Sequence, residues 1–207
     1  NSIPQVTQHD TADITRLDAW RRKENLRNPG RKLSLLAQVA QAVIAALKAF
    51  PRFNASLAEG GNTLVLKRYI HLGFAVDTER GLLVPVLKDA DRLEVAELSA
   101  AIATLADKAR GRKLFPADLE GASFSITSLG SIGGGHFTPL VNAPEVAILG
   151  IGRAGLQPVW VGDAQAGHAE PGLILPLSLS YDHRVVDGAD AARFLVFLKQ
   201  QLEAPAS

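Results

Sequence analysis

The sequence predicts one α+β domain in which helices pack on a mixed sheet. Three observations carry this. The 207 residues are 47% apolar, enough to bury a sizeable core. Strand-like and helix-like runs do not alternate strictly, which speaks against a doubly wound parallel sheet. No repeat, low-complexity linker or sharp change of composition divides the chain, so residues 1–207 read as one domain.

Taken in order, Ile3 to Asp13 alternates apolar and polar residues in part and contains Val and Thr, the pattern of a strand. Ile14 to Asn28 is charged and helical in pattern and is stopped by Pro29-Gly30. Leu33 to Phe50 places Leu, Val and Ile around more than one face, which predicts a mostly buried helix ending at Pro51. Asn54 to Ala58 and Thr63 to Lys67 form a hairpin about the turn Glu59-Gly60-Gly61-Asn62. Tyr69 to Thr78 and Leu82 to Lys88 are two further strands about Glu79-Arg80-Gly81. Leu93 to Arg110 is an Ala-rich amphipathic helix closed by Gly111, and Pro116 to Leu119 suggests a short helical turn. Strands follow at Ser123 to Ser128, Val146 to Ile151, Val159 to Val161 and Leu173 to Tyr181, with a Gly-rich loop over Gly130 to Gly135. Gly188 to Leu202 is the final helix.

Composition excludes several chemistries. Lys plus Arg is 22 against 21 for Asp plus Glu, a balance that argues against nucleic acid or a membrane surface as partner. The chain has no Cys, which removes disulfides, thiolate metal sites and a Cys nucleophile and is compatible with a reducing cytoplasm. No apolar run is long enough to span a membrane, and no signal peptide opens the sequence. The first residue is Asn and no Met occurs, so the sequence reads as part of a longer polypeptide.

Three motifs invite a functional reading. Gly150-Ile-Gly152-Arg-Ala-Gly155 has the dinucleotide spacing, but Leu156-Gln157-Pro158 and a β-like Val-Trp-Val follow where a helix is required. A strand end with a Gly turn is the plainer expectation. Ser128 to Gly135 resembles a phosphate cradle but lacks the Lys-Ser/Thr ending. Asp182-His183-Arg184-Val-Val-Asp187-Gly188 lies where a long strand meets a helix, so His183 can project into a cleft between two carboxylates and one cation. A structural cluster is the bland alternative. A zinc site would need ligands from distant loops, because His9, His71, His136 and His168 are scattered. A hydrolase triad lacks its Gly-x-Ser-x-Gly elbow, and Ser178 and Ser180 share a strand with His183.

Ser178 to Gly188, read as Ser-Leu-Ser-Tyr-Asp-His-Arg-Val-Val-Asp-Gly, resembles the active-site signature of dihydrolipoamide acyltransferases, the core subunits of 2-oxo acid dehydrogenase complexes. The looser His-x-x-x-Asp-Gly pattern is shared with chloramphenicol acetyltransferase and other coenzyme A-dependent acyltransferases. Phe124 to Gly130, Phe137 to Gly150 and Gly73 to Val86 resemble three further family segments, and the likeness runs from about Ile3 to the final helix. Gln5-Val-Thr-Gln8 and Thr127-Ser-Leu-Gly130 resemble the acetyltransferases of pyruvate dehydrogenase more than the succinyl or branched-chain relatives.

The resemblance implies a chloramphenicol acetyltransferase-like α+β fold and acyl transfer between a dihydrolipoamide thiol and coenzyme A, with no metal. His183 would be the general base, its imidazole pKa of ~6.5 suited to neutral pH. Thr127 would donate a hydrogen bond to the tetrahedral oxyanion, with Ser128 as rival donor and an ordinary strand Thr as the bland alternative. Asp187 would support His183 locally, and Arg184 would make an ion pair. Arg21 matches a coenzyme A contact, although neighbouring Arg22 and Lys23 are equally basic and a solvated helix face is as good a reading. Asp77 and Leu149 match positions lining the substrate channel, against the plainer readings of a turn Asp and a core Leu. The family forms trimers with the site between subunits, and these build 24-mers or 60-mers. Its lipoyl and peripheral-subunit-binding domains, which serve pyruvate dehydrogenase and dihydrolipoamide dehydrogenase, are absent from this sequence. Relatives continue past Leu202 to Ser207 into an apolar tail that joins trimers, so the expectation is a trimer at least. The location expected is bacterial cytoplasm, with the mitochondrial matrix as alternative. Rival readings are a coenzyme A-dependent acyltransferase with a small-molecule acceptor and a non-catalytic assembly scaffold.

Overall fold

A computed structural model describes residues 3–58, 61, 63–130 and 132–204. Its main sheet has seven strands. Along the path, the order is β1 (Gln5–Asp13), β11 (His168–Asp182), β9 (Ala147–Ile151), β8 (Phe124–Ser128), β4 (Leu72–Phe74) and β7 (Val86–Leu87), and β10 (Gly155–Val161) pairs with the first half of β11. The pairs β4·β8 and β8·β9 are parallel and the others antiparallel, so the sheet is mixed. Two small hairpins stand apart, β2 (Ala55–Leu57) with β3 (Leu64–Leu66) and β5 (Val76–Thr78) with β6 (Gly81–Leu83). Helices are α1 (Thr15–Arg27), α2 (Leu35–Ala49), α3 (Val95–Arg110) and α4 (Gly188–Glu203). Among the described residues no helix is long and apolar enough to cross a membrane.

Alternation along β11 sorts the two sheet faces. Leu175, Leu177, Leu179 and Tyr181 join a core with Phe124, Ile126 and Leu149 beneath α2 and α4. Ser178 and Ser180 point the other way, where Ser180 Oγ meets Thr7 Oγ1 at 2.7 Å and Ser178 Oγ meets His9 Nδ1 at 2.9 Å. The segment before β9 covers this polar face: Phe137 N–H donates to Ser178 Oγ at 3.3 Å, and Gln5 bonds both Pro139 and Val141. Gly150 makes the cover possible, since a Cβ there would lie 2.8 Å from the Phe137 ring.

The helix ends follow local chemistry. Ser34 caps α2, its Oγ accepting from Ala37 N–H at 3.1 Å. Glu94 and Glu97 form a capping box at α3.

The predicted strands at Tyr69 to Thr78 and Leu82 to Lys88 are each split in two. Phe74 N–H donates to Pro85 O at 2.9 Å, but Pro85 has no N–H to return, and Ala75 N–H turns to Ile126 O instead. The hairpin keeps its register on both sides of this gap. Strands β10 and β11 are longer than predicted. The extra length contains Pro158 and Pro171, which face each other in the β10·β11 ladder and read in the sequence as breaks. The short turns Pro51–Phe53 and Ala90–Arg92 are 3₁₀ segments that the periodicity did not reveal. Of the turn expected at 59–62, Glu59, Gly60 and Asn62 lie outside the described residues, as does Ser131 of the Gly-rich loop.

Candidate active site

The turn after β11 is built by two carboxylates. Asp182, buried at the strand end, receives the Arg184 side chain in a fork, Nη2 to Oδ2 at 2.6 Å and Nε to Oδ1 at 2.9 Å, and also the Arg184 backbone N–H at 3.0 Å. Burial pushes the Asp182 carboxyl up, the Arg184 donors pull it down, and the donors win, leaving it below the usual carboxylate range. Asp187 caps α4 by accepting the Asp190 N–H at 2.8 Å. That bond and a second from the Ala189 N–H hold its carboxyl low. Burial raises the Tyr181 phenol, and the Asp187 charge raises it further.

His183 stands exposed between these two anchors. Its backbone N–H donates to Pro4 O at 2.9 Å, and its ring lies 6.0 Å from that of Tyr181. The backbone is therefore fixed on both sides while the imidazole faces solvent.

Thr127 is half-buried near the end of β8, on the face it shares with Ser125. Ser128 points to the opposite face, where its Oγ accepts from Gly130 N–H at 3.3 Å and lines a cavity of about 660 Å³. Through the ladder Thr127 aligns with Gly150 and then with Ser178. His183 lies five residues further on, just past the end of β11, so Thr127 and His183 of one chain are separated by roughly 15–20 Å. One chain does not bring the expected donor and base together.

The remaining expected residues divide. Asp77 lines the large cavity together with Leu36, Ile102, Arg110 and Arg153. Leu149 is fully buried in the core and is not among the residues lining that cavity. Arg21 does not line it either. Its Nε and Nη2 bind Asp18 Oδ1 at 3.0 and 2.6 Å, and Nη1 binds Leu33 O at 3.2 Å, so it clamps the junction before α2. Burial raises the Asp18 carboxyl, and the hydrogen bonds and charges of Arg21 and Arg22 more than reverse this.

Sequence reasoning missed Arg110, Arg153 and the buried Glu145. For Glu145 the available signal was a carboxylate abutting the apolar run from Val146 to Ile151. The fold also brings His9 and His136, far apart in the sequence, within 5.0 Å of each other, ring centre to ring centre. No group of three or more metal-ligating side chains forms among the described residues.

The family model for the catalytic domain of 2-oxoacid dehydrogenases acyltransferase matches residues 1–207. The dihydrolipoyllysine-residue acetyltransferase component of the pyruvate dehydrogenase complex of Cupriavidus necator is 53% identical over 202 residues, covering 97% of this chain and 35% of that protein. The chain thus spans between about a third and a half of the length of the curated relatives it matches. Two solved structures superpose with a TM-score of 0.92 at 50% identity, covering 98% of this chain and 82% of theirs. One is the cubic core of the pyruvate dehydrogenase multienzyme complex. The other addresses the role of a serine, a histidine and an asparagine in the catalytic mechanism of Azotobacter vinelandii dihydrolipoamide acetyltransferase. Chloramphenicol acetyltransferase superposes with a TM-score of 0.62 at 15% identity, over 97% of this chain and 89% of that one, and shares the fold. The chain belongs to the family of 2-oxoacid dehydrogenase acyltransferase catalytic domains.

Proposed function

We propose that this domain transfers an acetyl group between a dihydrolipoamide thiol and coenzyme A, in a bacterial cytoplasm, as the core of a pyruvate dehydrogenase complex. The observation that carries the reading is the fixed turn around an exposed His183, with Asp187 following it by four residues. The catalytic histidine and asparagine of the Azotobacter enzyme have the same spacing, and Asp here keeps a side-chain oxygen for the helix cap.

With no Cys present the enzyme forms no thioester of its own, and direct transfer in a ternary complex is the natural scheme. The His183 imidazole takes the proton from the attacking thiol, and the sulfur attacks the thioester carbonyl carbon. The Thr127 hydroxyl donates a hydrogen bond to the resulting oxyanion, an interaction worth about 2.7–4 kcal/mol of barrier. The old carbon–sulfur bond then breaks, and the leaving thiolate recovers the proton from the imidazolium. Both thiols occupy the site together, so transfer is direct. Asp187 holds the turn and takes no proton.

The separation of Thr127 from His183 supports a site shared by two copies, one giving the hydroxyl and its neighbour the base. A trimer supplies three such interfaces, and the resemblance to the cubic core suits assembly into a larger particle. Arg21 keeps one N–H on each Nη beyond its bonds to Asp18 and Leu33, and these are assigned to a coenzyme A phosphate. Asp77 and the cavity beside it form part of the substrate channel. The lipoyl group arrives on a lipoyl domain. Pyruvate dehydrogenase and dihydrolipoamide dehydrogenase engage other parts of the whole polypeptide.

The test is acetyl transfer from acetyl-coenzyme A to dihydrolipoamide, with His183→Ala beside the wild type. Transfer that falls by about 10²–10⁴-fold in a folded, assembled variant is the expected result. Wild-type protein that assembles yet transfers nothing, or a variant as active as wild type, sinks the reading.

A further inference from the structure

Glu145 has no part in the chemistry above, yet it sits between the two elements that supply it. It is 3% exposed. Its Oε1 accepts from Ser125 Oγ at 3.0 Å and from Asn142 Nδ2 at 3.4 Å. Its Oε2 is buried and has no hydrogen-bond partner among the described residues. Ser125 lies two positions before Thr127 on the same face of β8. On the other side, the carbonyl of the next residue, Val146, accepts the Asp182 N–H at 2.8 Å, directly before His183. Glu145 also lines a cavity of about 370 Å³ that it shares with Asp182 and Arg184.

We propose that Glu145 is a positioning residue for the transfer reaction, joining the strand that carries Thr127 to the turn that carries His183. The inference rests on the transfer reading above. An orphan buried oxygen is tolerable on a neutral acid, where it carries the proton, and costly on an anion. The charged groups around it do little to offset this. Lys67 donates to Ala122 O at 3.1 Å and pulls the carboxyl down only in part, and Asp182 and Arg184, both on the cavity wall, neutralise each other in an ion pair of 2.6 Å. Burial accordingly lifts the carboxyl to about 7, against the opposing pull of Ser125, Asn142 and Lys67. Burial lowers the Lys67 ammonium as well. Loss of the proton leaves a buried anion short of donors, and the contacts to Ser125 and Asn142 must rearrange to supply one. That rearrangement displaces β8 and the segment leading to the Asp182 turn.

Two measurements on the assembled protein test this. The first is kcat and KM for acetyl transfer across pH in the wild type, Glu145→Gln and Ser125→Ala. Glu145→Gln keeps the neutral geometry and cannot ionise. Wild-type kcat is expected to fall several-fold from about pH 7 to about pH 8.5, with KM for both thiols unchanged. Glu145→Gln is expected to match wild type in acid and to lack the fall. Ser125→Ala removes a hydrogen bond that favours the anion, so its fall moves to higher pH. The second is amide hydrogen exchange of segments 124–128 and 182–186. Its protection, corrected for intrinsic rates, is expected to drop over the same pH range in wild type and not in Glu145→Gln. A Glu145→Gln profile that keeps the fall, or protection that is equally flat in both proteins, overturns the proposal. If the wild type performs no transfer at all, the transfer reading fails, and the exchange experiment decides the role of Glu145 on its own.

Discussion

A strand-end histidine is useful to a transfer reaction only if its backbone is fixed and its ring is not. At His183 the Pro4 carbonyl, the Asp182–Arg184 fork and the Asp187 cap supply the first condition, and exposure supplies the second. All but Pro4 lie within six consecutive residues, so the sequence showed nearly all of this cluster. Thr127 needs a finer test, because both it and Ser128 carry a hydroxyl. They point to opposite faces of β8, and only Thr127 shares the polar face with Ser125. Thr127→Ser is therefore expected to keep most of the transfer rate, Thr127→Ala to lose about 10²–10³-fold in kcat, and Ser128→Ala to change little, as read by steady-state kinetics. Glu145 showed in the sequence only as a carboxylate abutting an apolar run, because Ser125 and Lys67, which face it in the fold, lie twenty residues away or more. Burial pushes its carboxyl from the ordinary 4.5 up to about 7, so the folded chain binds more protons in that window. Stability is then fullest below about pH 4.5 and falls as pH rises through 7, by on the order of 3 kcal/mol. Denaturant melts of wild type and Glu145→Gln across that range check it, since the substitution should remove this part of the slope.

Elements were legible wherever local chemistry decides them. The Ser34 cap, the Glu94–Glu97 box and the Gly188 helix start are all written in neighbouring residues, and the predicted helices agree with the observed ones to within two residues or so at each end. The misjudged strands failed for a tertiary reason. Pro85 opens a gap inside a hairpin whose register survives because β4 also pairs with β8, and Pro158 and Pro171 are tolerated because they face each other at a sheet edge. The α4 cap ties element to site. Asp187→Asn retains a side-chain acceptor for the Asp190 N–H, and is expected to keep both stability and transfer. Asp187→Ala removes it, with an expected cost of about 1 kcal/mol in urea unfolding and a lower kcat from a looser His183 turn. Equal kcat in both variants would place the cap outside the function of the site.

At the scale of the whole molecule, the class of fold was readable from composition and from the order of strands and helices, and the mixed sheet agrees with it. The separation of Thr127 from His183 was not readable, because it arises from three strands in register, β8, β9 and β11, contributed by widely spaced parts of the chain. That separation gives a prediction that neither residue alone can make. If each site takes its hydroxyl from one copy and its base from the next, Thr127→Ala and His183→Ala chains are both inactive by themselves. Unfolded together and reassembled in equal amounts, they form some interfaces in which the His183→Ala chain supplies an intact Thr127 and the Thr127→Ala chain supplies an intact His183. Random mixing around a closed ring makes roughly a quarter of the interfaces complete, so transfer should return to about that fraction of wild type. The mixture measured without reassembly is the control and should remain inactive. Full co-assembly, shown by a tag carried on only one variant, with no return of activity would mean that base and donor do not meet across an interface. The geometry of a single chain would then have to be reconciled with catalysis by moving β8 or the His183 turn, a displacement that their buried hydrogen bonds oppose.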